Sequence, residues 1–335
     1  LIIKLGFDPT SPDIHLGHTI LLNKANIFQK YGHKIVIIIG DFTGMIGDPS
    51  NKKNTRKQLT KKEVIKNAKT YKKQIYKILN KKFTKIKFNS TWLNKITSEN
   101  FIKLASKQTI AKMLQREDFF KRYNNNKSIY IHEFLYPLIQ AYDSVIISSN
   151  LEMGGTDQKF NLLIGRHLQK IYNQKQQMIL TTKLLEGING IEKMSKSLKN
   201  YIGITDNKEK MYGKIMSISD NTMWKYLNLL NNVNKIKINK IKYDTKYKKN
   251  PRDIKLCLSY DIVKKYHTIH DANKTKKNFI TKYIKKIMLI KENYIIKLNK
   301  QTNEIKILSL LKEIKFTKSI SESMKMINQK ALQIN

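Results

Sequence analysis

Two short clusters in this 335-residue sequence combine side chains suited to handling phosphate. His15-Leu16-Gly17-His18 sets two imidazoles three residues apart, where a turn passes into a helix. The free N–H groups and dipole of a helix N-terminus add to the attraction for phosphate oxygens. Gly17, lacking a Cβ, leaves room for a purine ring to lie against the backbone. Lys193-Met194-Ser195-Lys196-Ser197 puts two ammonium groups and two hydroxyls on one loop. That set suits a triphosphate whose negative charge shifts during in-line displacement. Each cluster also has a plainer reading: a surface His pair or two zinc ligands for the first, a solvated loop for the second. No Cys or further His stands close enough to complete a zinc site. No GxxxxGK[ST] pattern occurs, which argues against a P-loop ATPase.

The elements around these clusters read as α/β. Residues Ile2 to Phe7 form a buried strand, followed by a turn-rich stretch from Asp8 to Asp13. Apolar residues recur at helical spacing from His18 to Tyr31, with Gly32 as a stop. His33 to Gly40 is strand-like again, giving a βαβ unit with its ligand crevice at the strand ends. A polar stretch from Gly47 to Arg56 precedes a helix over Lys61 to Leu79, then a strand over Lys85 to Phe88. Helices are predicted over Ser98 to Leu114 and Tyr130 to Ser148, on either side of an Asn-rich loop. Gly154-Gly155-Thr156 reads as a tight turn opening a helix that runs to Tyr172, and Gln177 to Thr181 as the final strand. Beyond Gly203 long Lys-rich amphipathic segments predict an α-helical second domain.

Composition bounds the reading without deciding it. The formal charge is +40, from 65 Lys+Arg against 25 Asp+Glu, but only five residues are Arg. Phosphate and base recognition favours the rigid guanidinium fork, so Lys spread among Asn and Ile points first to a biased genome and second to a polyanion partner. The lone Cys257 excludes an intrachain disulfide and fits a reducing, cytoplasmic setting. The apolar run Ile35 to Ile39 falls far short of the roughly 20 residues that cross a bilayer, so no membrane partner is expected. The chain opens at Leu1 with no signal-peptide layout and no initiator Met, and some N-terminal sequence is expected to precede it.

HLGH and KMSKS together resemble the double signature of class I aminoacyl-tRNA synthetases. The text around them, Gly6-Phe7-Asp8-Pro9-Thr10, Gly47-Asp48-Pro49-Ser50, the run Tyr136 to Asp143 (YPLIQAYD) and Gly154 to Gln158 (GGTDQ), is similar to the bacterial tyrosyl branch from about Ile3 to about Leu230. The resemblance implies a Rossmann-like parallel-sheet catalytic domain over 1–202, with an inserted helical dimerisation region. It also implies an α-helical anticodon-side domain over 203–315, and over 316–335 the opening of a small RNA-binding module cut short. It implies activation of L-tyrosine with ATP, Mg²⁺ arriving with the nucleotide and no dedicated protein metal site, then transfer to tRNA(Tyr) by a homodimer.

By the same resemblance Asp48, Tyr136 and Gln140 hold the substrate ammonium, and Gln158 lines that pocket. Asp143 accepts from the substrate phenol, an arrangement that can reject phenylalanine by roughly 10⁴–10⁵ because the analogue leaves a buried polar group unpaired. Asp8, Thr10, His15, Gly17 and His18 face ATP, and Asp157 holds its ribose. Lys52 and Arg56 close on pyrophosphate from one side, Lys193, Lys196 and Ser197 from the other. One position departs: many members carry a Tyr two residues before the Gly of GFDPT, where Lys4 stands here, so recognition of the phenol rests more on Asp143. Two competing readings remain at this level, a tryptophanyl-type enzyme and a non-catalytic RNA-binding relative.

Overall fold

Five short runs of β-branched and other apolar residues pair into one parallel sheet. They are β1 (Ile2–Phe7), β2 (Lys34–Ile39), β3 (Thr84–Phe88), β4 (Leu151–Gly155) and β5 (Met178–Thr182). The spatial order is β3-β2-β1-β4-β5, with every neighbouring pair parallel. In this computed structural model the described residues are 1–46, 60–231, 233, 235–247, 250–284, 306–314, 316–317 and 319–328. β1 and β2 are covered on both faces, which is why they read as mainly apolar runs, broken in β1 by Lys4, and not as alternating ones. The chain leaves β1 toward β2 on one side of the sheet, while β4 flanks β1 on the other. The order reverses at β1, and a crevice opens at the carboxyl ends of β1 and β4, where sheets of this kind bind ligands.

Helix Leu16–Lys30 joins β1 to β2 and stops at Gly32, whose φ of +80° is a left-handed conformation that Gly adopts without a Cβ clash. Between β2 and β3 lies helix Lys61–Ile75, begun by a reciprocal cap: Thr60 Oγ1 accepts from the Glu63 amide, and Glu63 accepts from the Thr60 amide. This helix grips the loop that follows β1. Asn67 donates to the Pro9 carbonyl at 2.9 Å and Gln74 to the Pro12 carbonyl at 2.9 Å, while the Ile14 amide donates to Gln74 Oε1 at 2.7 Å.

From β3 to β4 the chain makes a long helical excursion. The predicted single helix over Ser98 to Leu114 is two, Ser98–Ala105 and Ile110–Met113, because Thr109 caps the second by accepting from the Lys112 amide. A further helix, Glu117–Asn124, precedes the Asn-rich loop, and Ile131–Ile147 then crosses the sheet. Gly154 and Gly155, read from sequence as part of a tight turn, are the end of the buried strand β4, and helix Lys159–Ile171 follows it.

The helices after Gly203 include Lys208–Met216, Asp220–Leu230, Lys235–Tyr247, Pro251–Tyr266 and Ile269–Phe279. They pack around the buried Tyr212, whose hydroxyl donates to the Leu256 carbonyl at 3.2 Å. Tyr226 donates to the Glu186 carbonyl at 2.8 Å, tying these helices to the segment after β5. Tertiary packing thus groups them with the sheet in one unit, Leu1–Phe279. The second unit, Ile280–Asn335, contains helices Ile307–Glu313 and Ile320–Asn328, joined by a buried contact of 2.6 Å between the Thr317 and Ser323 hydroxyls. No described helix is long and apolar enough to cross a membrane.

Candidate active site

The crevice at β1 and β4 deepens into a cavity of about 300 Å³, the lower end of the range for small-molecule sites. Thirteen of the sixteen residues singled out from sequence line it: Asp8, Thr10, His15, Gly17, His18, Tyr136, Gln140, Asp143, Asp157, Gln158, Lys193, Lys196 and Ser197. Asp48, Lys52 and Arg56 lie outside the described residues.

The two imidazoles stack, with centroids 3.8 Å apart and planes 29° apart. The His15 amide donates to His18 Nδ1 at 3.2 Å, so Nδ1 carries no proton and the hydrogen of the neutral ring sits on Nε2. Burial is the main force holding both rings uncharged. It lowers His15 well below its ordinary value, helped by His18 and Lys196, and takes His18 to about 3, helped by Lys196. The pair therefore offers N–H donors and not cations. Gly17 has a second reason to lack a side chain. A Cβ there would stand 3.0 Å from His15 Nδ1 and 3.1 Å from its Cε1, displacing the ring it accompanies.

At the deep end the polar groups are joined to one another. Tyr136 donates its hydroxyl to Asp8 Oδ2 at 2.7 Å, and Thr43 donates to Asp8 Oδ1 at 2.7 Å. The structure thereby joins Asp8, expected among the ATP contacts, to the tyrosine expected to face the amino acid. The backbone at Gly40 must stay bare for this: a Cβ would fall 2.0 Å from Asp8 Oδ1. Asn161 links Gln140 and Gln158 by donating to both side-chain oxygens, at 3.0 and 3.1 Å. Asp143, only 3% exposed, accepts from the Trp92 indole at 2.9 Å and from Asn89 at 3.4 Å. Burial pushes its carboxyl up to about 7, against the opposing pull of Lys4, Trp92 and Asn89.

Lys4 lies in the same wall, wholly buried, paired with Glu152 at 2.8 Å. Sequence reasoning marked Lys4 only as a departure and passed over Thr43, Asn89, Trp92, Glu152 and Asn161. A charged residue inside the otherwise apolar β1 run IIKLGF was the one signal in the sequence that could have flagged it.

The loop from Lys193 to Ser197 closes the outer end. Asn200 anchors it by accepting from the Ser195 amide at 2.8 Å, and Met194 is buried beneath it. Lys193 pairs with Asp157 at 2.8 Å. Lys196 donates to the Asp13 carbonyl and stands 5.6 Å from the centroid of the Tyr71 ring. Its ammonium is close enough to act on both imidazoles. Neutral donors and two lysine ammonium groups thus converge on one end of the cavity, and a carboxylate with an amide pair on the other. Such a site can bind a polyphosphate and a small zwitterion side by side. Among the described residues no group of three or more His, Cys, Asp or Glu could hold a metal ion.

Because both histidines are uncharged when folded and titrate near 6.5 when unfolded, the unfolded chain binds more protons below that pH. Stability therefore falls as pH drops from about 6.5 toward 3. At pH 5.5 the His18 imidazole alone should cost about 1.4 kcal/mol. Urea unfolding across this range on the His15→Asn/His18→Asn variant should give a flatter acid limb than the parent, and an equal slope would show that the rings are not buried neutral.

Comparison with known proteins agrees with this chemistry. The model of the class I tRNA synthetases for tryptophan and tyrosine matches residues 1–328. A tyrosine–tRNA ligase of Idiomarina loihiensis is 50% identical over all of this chain and 83% of its own length. Tyrosine–tRNA ligase 2 of Pseudoalteromonas translucida is 51% identical over 100% and 84%. A C-terminally truncated mitochondrial tyrosyl-tRNA synthetase of Aspergillus nidulans shares the fold, with a TM-score of 0.70 at 20% identity over 84% of this chain and 86% of that one. The L-tyrosine complex of the Archaeoglobus fulgidus enzyme shares it at 0.65 and 21%, over 82% and 90%. With signature loops assembled around one cavity and relatives half identical along its whole length, the chain belongs to the class I tRNA synthetases of the tryptophan and tyrosine group, as an aminoacyl-tRNA ligase of the bacterial tyrosyl type.

Proposed function

We propose the following division of labour for the tyrosine–tRNA ligase reaction in this chain. The observation that carries it is the polarity of the cavity, with a buried carboxylate at one end and the His pair beneath two lysines at the other. Tyrosine lies with its phenol toward Asp143. Its ammonium meets Asp48, the Tyr136 hydroxyl and the Gln140 amide oxygen, with Gln158 beside them. Thr10, His15 and His18 donate to the phosphates, Gly17 gives the purine room, and Asp157 takes the ribose once Lys193 releases it.

The tyrosine carboxylate attacks the α-phosphorus in line, the new P–O bond forms, and the bond to pyrophosphate breaks. No protein nucleophile is needed. Orientation of the two reactants and stabilisation of charge on the leaving group supply the acceleration. Lys193, Lys196 and Ser197 do the second on one side, Lys52 and Arg56 on the other. Mg²⁺ carried in with ATP neutralises part of the same charge. In the second step a ribose hydroxyl of the terminal adenosine of tRNA(Tyr) attacks the activated carbonyl, and AMP leaves. The helices over 203–315 and the segment 316–335 are assigned to the tRNA, whose backbone their lysines attract. A reducing cytoplasm suits the exposed, free Cys257.

The homodimer rests on the excursion between β3 and β4. Phe119, in this excursion, is fully buried within the protomer. Ile102, Ile110, Phe120, Tyr123, Tyr130 and Ile131 are between 52% and 79% exposed, a set too apolar to be left in water.

Three measurements test this reading. Lys196→Ala should slow single-turnover adenylate formation by about 10²-fold while tyrosine binding stays intact, as for a cation acting mainly in the transition state; an unchanged rate removes the role. Asp143→Ala should cut the tyrosine-over-phenylalanine preference in pyrophosphate exchange far more than it affects ATP, and a constant ratio would assign discrimination elsewhere. Sedimentation at micromolar concentration should give twice the 39.4 kDa chain mass, and Ile131→Asp should shift it toward the monomer; a parent that is already monomeric contradicts the interface.

A further inference from the structure

The buried ammonium of Lys4 has no place in the division of labour above. Its three protons are all taken, by Glu152 Oε1 at 2.8 Å, Ser144 Oγ at 2.7 Å and the Gln140 carbonyl at 2.9 Å. None remains for a ligand, so Lys4 cannot read a substrate by donating to it. Two of those acceptors, Gln140 and Ser144, lie on helix Ile131–Ile147 on either side of Asp143. The third, Glu152, is the direct partner of Lys4 across the β1–β4 pairing. Glu152 is held in turn by the Ser144 hydroxyl at 2.9 Å and the Gln177 amide at 2.5 Å. The Lys4, Ser144, Glu152 and Gln177 side chains are all buried, and only Gln140 is partly exposed.

We propose that Lys4 is a positioning residue for amino-acid selection: locked to Glu152 and, through Gln140 and Ser144, to the helix that bears Asp143, it keeps the Asp143 carboxyl aimed at the substrate phenol and sets a positive charge behind it. The proposal rests on the reading of Asp143 as the phenol's acceptor. A phenol donates far more strongly to a carboxylate than to a carboxylic acid, so the ionisation of Asp143 decides how well tyrosine is told from phenylalanine. The charged groups acting on Asp143 are Lys4 from β1 and Glu152 from β4. The segment Asn89–Leu93 gives it neutral donors, Asn89 and Trp92, and the turn Thr43–Ile46 gives Thr43, which is spent on Asp8. Lys4 is the strongest of the influences that oppose the upward push of burial, and they meet near neutral pH. Here a charge at one remove replaces a hydroxyl that would touch the substrate.

The test is ATP–pyrophosphate exchange with tyrosine and with phenylalanine from about pH 6 to about pH 9. In the parent the preference for tyrosine should fall as pH drops below about 7. Lys4→Met/Glu152→Gln, which removes both charges and strands neither, should move that fall upward by about one pH unit. At pH 7 it should lose about fivefold in preference, through the KM for tyrosine, with the KM for ATP unchanged and the loss recovered at high pH. Glu152→Gln alone keeps the ammonium and should move the profile down instead, so the idea stays testable if the double variant folds poorly. Equal losses for both amino acids at every pH, or profiles that do not move in opposite directions, would overturn it. Asp143→Asn separates the two layers: it should leave a low preference independent of pH. A preference that survives Asp143→Asn defeats the reading of Asp143 itself, whereas one lost there but untouched in the Lys4 and Glu152 variants defeats only the role of Lys4.

Discussion

An ammonium group with no exposure to water sits on the first strand of this protein, and much of the catalytic core is arranged to keep it there. Removing such an ion from water costs several kcal/mol, and a single partner seldom repays that unless the remaining protons are also bound. Lys4 therefore needs Glu152 directly across the β1–β4 pairing, and it needs helix Ile131–Ile147 at a fixed height above both strands. Glu152 has its own requirement, met by Gln177 at the entrance to β5, while Gln169 accepts from the Gln177 amide at 2.7 Å. One buried charge thus fixes the register of three strands and the seating of two helices. Those strands and helices meet at the switch point where the substrates must bind.

The cavity built on this floor separates two kinds of electrostatics. At the outer end the histidines are kept neutral by burial and by Lys196, and the cations sit on a loop that packs down through Met194 and Asn200. Charge there is carried by a segment whose lysines bind the Asp13 carbonyl and Asp157. At the inner end the charge is fixed, desolvated and hydrogen-bonded. On the proposed reading phosphate, which leaves as pyrophosphate, would meet the outer end and the side chain of the amino acid the inner one, where a fixed hydrogen-bonded wall would allow a missing hydroxyl to be penalised.

The sequence disclosed these two halves unequally. β1, β2 and the helix between them were legible because apolar periodicity and Gly32 mark their limits. The outer end was legible because its clusters are contiguous in sequence. β4 was not, since LEMGG carries a charge and two glycines in five residues, and its strand character comes from pairing with β1 and β5. Likewise a continuous apolar pattern over 98–114 hid the cap at Thr109 that starts a new helix. The inner end draws Thr43, Asn89, Trp92 and Asn161 from separate segments, so no local pattern could assemble them.

Lysine abundance raises a last question, because a biased genome alone would scatter lysines through any chain. Burial distinguishes the two origins. On a solvated surface an added Lys costs little, and mutational drift can place it there freely. In a desolvated strand it is tolerated only with a complete set of partners, each of which must be kept for its sake. Among the described residues Lys4 is the one lysine that is fully buried, and its partners come from a neighbouring strand and a helix. Drift toward Lys codons supplies no reason to maintain Glu152, Ser144 and Gln177 around it. The exposed lysines are therefore compatible with composition alone, whereas Lys4 requires a structural or functional cause, and its position in the wall that holds Asp143 supplies one.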